Sequence, residues 1–406
     1  MNDMNISPLD QLLEICNDCL SAISLPKKFT PYKQRHWVEI IFLYIICQMK
    51  VNYTQMGRYG KHCEQTYRNF MNKHIGWFIR INKYIATTLF PNEHRRAIAI
   101  DPSYIPKAGK KTPGLELYWS GCAGQTKRGL EILGIAAIDV DEHQSIALEC
   151  IQTPCKKERL EKGYSTGEDW YLYALLKHKK QLKQYCNIIV ADAQFSTYKF
   201  ANRLEDEGFH LVSRLRCNAS LRYQYIGPRR EGRGRPKQYD GEVDFKNLDL
   251  SRVTPLEVEE GKAYTFVANV KAMKRFVRIV VWYNTDDSYK IFFSTDVEMS
   301  AKDIIDTYRS RFQIEFAFRD AKQFTGLTNC QSRNKNALQN AFNFSLTAIN
   351  VAKLQMHRNG WTYSISRYKL LMTSLFLVQR FSSRCAPEHY LKIIQDVYNE
   401  FKWIAA

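Results

Sequence analysis

Two short apolar runs, each closing on an aspartate, do most to limit the folds open to this chain: Ala97-Ile-Ala-Ile-Asp101 and Asn187-Ile-Ile-Val-Ala-Asp192. Both read as strands. Between them, Ile132–Val140 and Gln144–Ile151 form two more, joined by a tight turn at Asp141-Glu142-His143, and a helix follows at about 169–184. A helix near 197–207 and a strand at His210–Ser213 complete the series. Consecutive strands with a hairpin, then alternating helices and strands, predict a mixed α/β sheet. An acid at a strand end stands on a rigid platform in the crevice at the sheet edge, where α/β proteins usually work. Asp101 and Asp192 are therefore candidate functional residues, although a single strand-end Asp more often shapes a turn or caps a helix. Asp139, which opens the hairpin, illustrates that plainer use.

The flanks differ in character. Residues 1–96 read as helical, with a short helix Tyr53–Tyr59, a turn at Gly60 and a second helix Glu64–Met71. A helix-turn-helix needs this arrangement, and Gln65, Arg68 and Asn69 would face a major groove. An ordinary helical hairpin with a solvated face satisfies the same pattern. Residues 97–213 hold the first part of the sheet. Residues 214–298 begin with a basic Gly/Arg/Pro loop and continue as a strand-rich insertion that includes Trp282. Trp282 lies in an alternating strand, which suits core packing better than stacking on an unpaired base. Ser300 with Asp303 caps a helix running to about Phe324, within a segment 299–330, and residues 331–406 read as helical.

On the helix after Ser300, an advance of about 100° per residue brings Tyr308, Arg311, Glu315, Arg319 and Lys322 onto one narrow stripe. A solvated Arg311–Glu315–Arg319 ladder would look the same. The spacing goes further, however. Tyr308-x2-Arg311-x3-Glu315-x6-Lys322 resembles the Tyr-Arg-Glu-Lys signature of bacterial insertion-sequence transposases of the DDE class, and AIAIDPSYIPKAGKKT around Asp101 and IIVADAQFS around Asp192 are similar to the same family.

The resemblance implies an RNase H-like catalytic core interrupted by a β-strand insertion domain, with helical N- and C-terminal regions. It implies Asp101, Asp192 and Glu315 as the catalytic, metal-binding triad, with two Mg²⁺ ions, for which Mn²⁺ would substitute. Tyr308, Arg311 and Lys322 would grip DNA near the cleaved end, with Arg319 as a helper on the same stripe. The implied activity is cut-and-paste transposition: binding of terminal inverted repeats, strand cleavage, release through a DNA hairpin, and joining to target DNA by a homodimer in a synaptic complex. Two other outcomes fit the same core, a metal-dependent nuclease or resolvase without strand transfer and a catalytically inactive DNA-binding descendant.

Charge agrees with a nucleic-acid partner. The chain carries 59 Lys+Arg against 41 Asp+Glu, a net +18, and a duplex presents a dense line of anions. Lys107, Lys110 and Lys111 lie among Gly109 and Gly114, where the backbone can approach a phosphate. Gly232-Arg233-Gly-Arg235-Pro-Lys237 resembles the core of an AT-hook for a narrow minor groove. The longest apolar run, Ile40–Cys47, is too short to span a bilayer, and the first residues lack a signal-peptide pattern. The expectation is a cytoplasmic protein, bound to the nucleoid when on DNA, with no membrane association. The 11 cysteines are scattered. Cys16 and Cys19 form a CxxC with no second pair to complete a zinc site, so packing positions and reduced thiols are expected.

Overall fold

The computed structural model describes residues 7–48, 50–228, 236–285, 288–385 and 388–405. Five helices come first: α1 (Pro8–Ser21), α2 (Pro31–Ile46), α3 (Tyr53–Tyr59), α4 (Glu64–Met71) and α5 (Phe78–Leu89). Pro8 and Pro31 open their helices, where a missing N–H is no loss. The α3–α4 turn closes on Gly60, whose Cβ would stand 2.0 Å from the Tyr67 hydroxyl. Glu39 of α2 holds this turn by accepting from the Lys61 N–H and the Tyr67 hydroxyl, both at 2.6 Å. Cys16 and Cys19 are buried among the apolar side chains of α1.

The chain then runs through β1 (Arg96–Pro106), β2 (Glu116–Ser120), β3 (Gln125–Asp139), β4 (Gln144–Gln152), α6 (Lys156–Glu161), α7 (Gly167–Leu176), α8 (Lys179–Lys183), β5 (Ile188–Val190), α9 (Tyr198–Asp206) and β6 (His210–Leu215). The helix expected at 169–184 is thus two, parted at Lys177–His178. β3 pairs antiparallel with β1 along its last eleven residues, with β4 along 132–139 and with β2 along 125–129. β5 and β6 extend the sheet parallel to β1, giving the order β4-β3-β1-β5-β6. This is the RNase H-like mixed sheet. The β1–β5 register pairs Ala99 with Val190, so two steps on Asp101 runs level with Asp192. Asp101 itself lies within an eleven-residue strand and not at its end, because β3 supports β1 as far as Pro106.

The strands of the 214–298 segment are β7 (Leu221–Gln224), β8 (Tyr239–Glu242), β9 (Thr254–Leu256), β10 (Lys262–Val270), β11 (Arg275–Tyr283) and β12 (Tyr289–Ser294). They make no separate sheet. β12 pairs antiparallel with β6, and the order continues β12-β11-β10-β7-β8, with β9 on β10. The twelve strands seen among the described residues form one sheet.

Five helices complete the chain: α10 (Ala301–Ser310), α11 (Gln313–Phe324), α12 (Lys335–Arg358), α13 (Ile365–Cys385) and α14 (Tyr390–Ala405). α12 is buried on nearly every face between the sheet and α1, α2 and α5. Its amides also finish the edge strand β4, whose outer polar groups would otherwise be stranded in the core. Asn343 accepts from the Cys150 N–H and donates to the Cys150 carbonyl, both at 2.9 Å. Asn350 does the same at Ala147, at 3.3 and 2.7 Å. Gln339 accepts from the Gln152 N–H at 3.0 Å, and Asn82 of α5 donates to the Leu148 carbonyl at 2.9 Å.

Candidate active site

Three elements deliver the site. β1 carries Asp101 and Ser103 on one face of the sheet. β5 ends just before Asp192, which caps a short 3₁₀ turn by accepting from the Ala193 N–H at 2.7 Å. The α10–α11 pair lies across them. α10 starts at Ser300, whose hydroxyl accepts from the Asp303 N–H at 3.1 Å. Arg95 then ties its first turns to the sheet, reaching Asp303 at 2.6 Å, Asp306 at 2.9 Å and Asp141 at 2.6 Å.

The single helix expected to run from Ser300 to about Phe324 is broken at Arg311–Phe312. The N–H groups of Arg311, Phe312, Ile314 and Glu315 bond three residues back instead of four, a local tightening that re-aims the side chains. Arg311 consequently turns into the sheet. Its Nη1 lies 3.4 Å from Asp101 and its Nη2 2.7 Å from Glu315, so one guanidinium bridges a strand carboxylate and a helix carboxylate. Tyr308 points its hydroxyl at Asp192 from 3.5 Å. Lys322, two turns beyond Glu315, donates to Ser103 at 2.9 Å. Tyr308, Arg311, Glu315 and Lys322 therefore converge on the stretch that holds Asp101 and Asp192. Arg319 does not: it is exposed, paired with Asp320 at 3.0 Å and laid over the Phe316 ring. Arg319 shares α11 with Glu315 and Lys322, but its side chain is drawn aside to Asp320 and Phe316.

Gly134, opposite Asp101 on β3, allows this close docking. A Cβ there would come within 2.3 Å of the Phe318 ring, one turn beyond Glu315. Burial pushes the Asp101 carboxyl up to about 7, with Arg311 pulling it back and the Glu315 and Asp192 carboxylates adding to the rise. Burial likewise raises the Tyr308 hydroxyl and lowers the Lys322 ammonium. Arg311 Nε is buried without a partner. Uncompensated negative charge here is met by the protein's own cation, and an all-oxygen donor set of this kind suits a hard divalent ion.

Among the described residues, the tightest group of potential metal ligands lies elsewhere, at His94, Asp139 and Asp141, whose ligand atoms fall within 4.8 Å of one another. Their lone pairs are spoken for. Asp139 accepts from the N–H groups of Asp141 and Glu142 at 3.0 Å and meets His94 Nδ1 at 2.8 Å, while Asp141 is taken by Arg95. The group is the clasp of the β3–β4 turn, the turn-shaping use expected of Asp139.

The remaining basic residues divide. Lys107 is buried and donates to the Cys330 carbonyl. Lys110 and Lys111 stay exposed and line a pocket of about 320 Å³ with Gln331 and Arg333. Arg333 was missed from the sequence because its segment is remote from the glycine loop it joins. Gln65 is exposed and bonded to Asn69 at 2.8 Å, whereas Arg68 is drawn back to Glu64 at 3.1 Å and over the Tyr53 ring. Trp282 donates to the Glu260 carbonyl at 2.9 Å with Arg309 over its ring, a packed strand position. Arg233 and Arg235 lie outside the described residues. No helix among the described residues is long and apolar enough to cross a membrane.

No curated protein matches the chain. A family model described as the transposase DDE domain matches residues 94–351. That span starts just ahead of β1 and ends within α12, taking in Asp101, Asp192, the strand insertion and Glu315. On this match the chain belongs to the transposase family that carries the DDE domain.

Proposed function

We propose that the protein is a cut-and-paste transposase of a bacterial insertion sequence, with Asp101, Asp192 and Glu315 as its catalytic acids. The observation that carries the reading is the convergence of Tyr308, Arg311, Glu315 and Lys322 on Asp101 and Asp192 from a helix more than a hundred residues downstream. A solvated surface ladder would have no reason to reach two strands in this way.

The three carboxylates would hold Mg²⁺, or Mn²⁺ in its place, and the bound metal would supply an activated oxygen nucleophile and a stabilised leaving oxygen for in-line displacement at phosphorus. The chain's own residues then position the DNA. Arg311 now spans two carboxylates, and a scissile phosphate would offer its planar fork two oxygens of a single anion. Lys322, braced on Ser103, is a point charge for the adjoining phosphate. Tyr308 steadies the Asp192 carboxylate. Lys110, Lys111 and Arg333 extend the cationic track beyond Asp101, and Gln65 on α4 is available to duplex DNA; Arg233 and Arg235, from the Gly-Arg-Gly-Arg sequence, are proposed as further DNA contacts. The substrates are the terminal inverted repeats and a target duplex, the donor strand leaves through a hairpin, and two copies act together in the synaptic complex in the bacterial cytoplasm.

The test is an incubation of protein with paired ends from the DNA flanking its gene, a target plasmid and Mg²⁺, beside Glu315→Gln. Joined products that vanish in the variant support transposition. Cleavage without joining identifies a nuclease, and tight binding without cleavage an inactive descendant. A variant that cleaves as well as the parent removes Glu315 from the chemistry.

A further inference from the structure

The β2–β3 hairpin exposes what folded proteins usually cover. Trp119 is 62% exposed and Leu117 65% exposed. Their neighbours Tyr118 and Ser120 are buried, and the Tyr118 hydroxyl donates to the Gly114 carbonyl at 3.0 Å. One face of the hairpin is therefore anchored and the other is bare. The register says which face is bare. On β3, Gly134 stands opposite Asp101 and Ile132 opposite Ser103. Counting on in twos along β3, Arg128 stands opposite Leu117 and Thr126 opposite Trp119. Side chains two apart share a face, so the bare face carrying Leu117, Trp119, Thr126 and Arg128 is the face that carries Asp101 and Ser103.

The charge around the bare face selects its partner. Arg128 on that face is exposed, and so are Lys110 and Lys111 nearby in the chain. Glu116, the one acid in the stretch 116–129 where the two strands pair, is engaged by the Lys156 N–H at 2.6 Å. A flat indole beside free cations suits a ligand with aromatic faces and anionic linkers, which describes a nucleic-acid strand with unpaired bases. A duplex hides its base faces, so the strand must be open.

We propose that Trp119 is a stacking platform for an unpaired base at the opened DNA end, with Arg128 holding the adjacent phosphate. The proposal rests on the transposase reading above and adds a substrate feature to it: the protein engages an opened end through the hairpin and not through the triad alone.

The test uses the full chain without divalent metal and two fluorescent DNAs, a blunt duplex and the same duplex with a short single-stranded overhang containing 2-aminopurine. Wild type should bind the overhang DNA more tightly and quench the 2-aminopurine. Trp119→Ala should weaken overhang binding roughly 5- to 150-fold, the range of one lost base–aromatic stack, leave the blunt duplex unchanged and abolish quenching. Trp119→Phe should restore most of both. Because the side chain is exposed, melting of Trp119→Ala should match wild type. Equal weakening on both DNAs, or no change on either, overturns the proposal while leaving the transposase reading intact. So does the dissociation of a wild-type dimer by Trp119→Ala, which would make the face a protein contact. Failure of wild type to bind either DNA overturns the transposase reading as well, and is the outcome that separates the two.

Discussion

Gly134→Ala adds a single methyl group to β3 where α11 presses hardest on the sheet. The added carbon would lie 2.3, 2.9 and 3.3 Å from three atoms of the Phe318 ring, against an ordinary contact that begins near 3.4 Å. The ring, and the helix turn that bears it, must retreat by more than 1 Å at the closest atom. Overpacking of this size costs roughly 1–3 kcal/mol, which outweighs the small gain expected from replacing a strand glycine. The functional effect should be larger than the stability effect. Glu315, the proposed third acid, lies one turn before Phe318, and in that role a shift of about 1 Å would cost about 10²-fold in rate. Thermal melting by circular dichroism should therefore fall by a few degrees, and cleavage of the flanking ends by roughly two orders of magnitude. Phe318→Leu in the same chain removes the clashing atoms and should recover part of both losses, a coupling of opposite sign to the single changes. If Gly134→Ala melts and cleaves like the parent, or if Phe318→Leu only adds a second loss, α11 is not seated by this contact and the argument fails.

Three further predictions rest on other parts of the structure. Arg311→Ala leaves Asp101 and Glu315 without their shared hydrogen-bonding cation, so the metal-free protein should lose about 1–3 kcal/mol; added Mg²⁺ should raise its melting temperature more than that of wild type, and an equal rise would deny the bridge. Asn343→Leu strands the Cys150 N–H and carbonyl in the core and should cost about 2–4 kcal/mol in urea unfolding, so a loss below the scatter of surface changes would show that β4 has another partner. Glu149 is pushed by burial from the usual glutamate range up to about 7. The unfolded chain therefore releases this proton first as pH rises from about 4.5, and stability is lost until the folded carboxyl also ionises near 7. His178, 3.4 Å away and lowered to about 4 by burial, acts in the opposite sense between 4 and 6.5. Glu149→Gln removes only the first effect, so its melting-temperature advantage should grow from pH 5 to pH 8, and an advantage that stays flat contradicts the assignment.

Part of this was legible in the sequence and part was not, for physical reasons. Asp101 and Asp192 were visible because buried parallel strands require unbroken apolar runs, and a charge that ends or interrupts one stands out. The residues at 308, 311, 315 and 322 were visible through their spacing. The break at Arg311–Phe312 was not, since no glycine or proline marks it; the attraction of Arg311 for Asp101 and Glu315 is available only once the sheet is assembled. The insertion strands could be read singly, but their union with β6 could not, because β12 and β6 are separated by more than seventy residues and local pattern does not choose a pairing partner. The amides of α12 read as ordinary helix polarity, and their use appears only against the open edge of β4. The pattern of α4 turns Arg68 toward a groove, but Glu64 lies one turn before it on the same helix, and their pairing competes with contact to DNA.

The central claim is that the three acids from β1, the end of β5 and α11 act as one metal site, and Mn²⁺ binding followed by electron paramagnetic resonance on the DNA-bound protein tests it most directly. Wild type should bind Mn²⁺ tightly, Asp101→Asn, Asp192→Asn and Glu315→Gln should each weaken it by an order of magnitude or more, and His94→Ala should leave it unchanged. If His94→Ala abolishes binding while the three acid variants retain it, the ion belongs to the β3–β4 turn and the account of the active site is wrong.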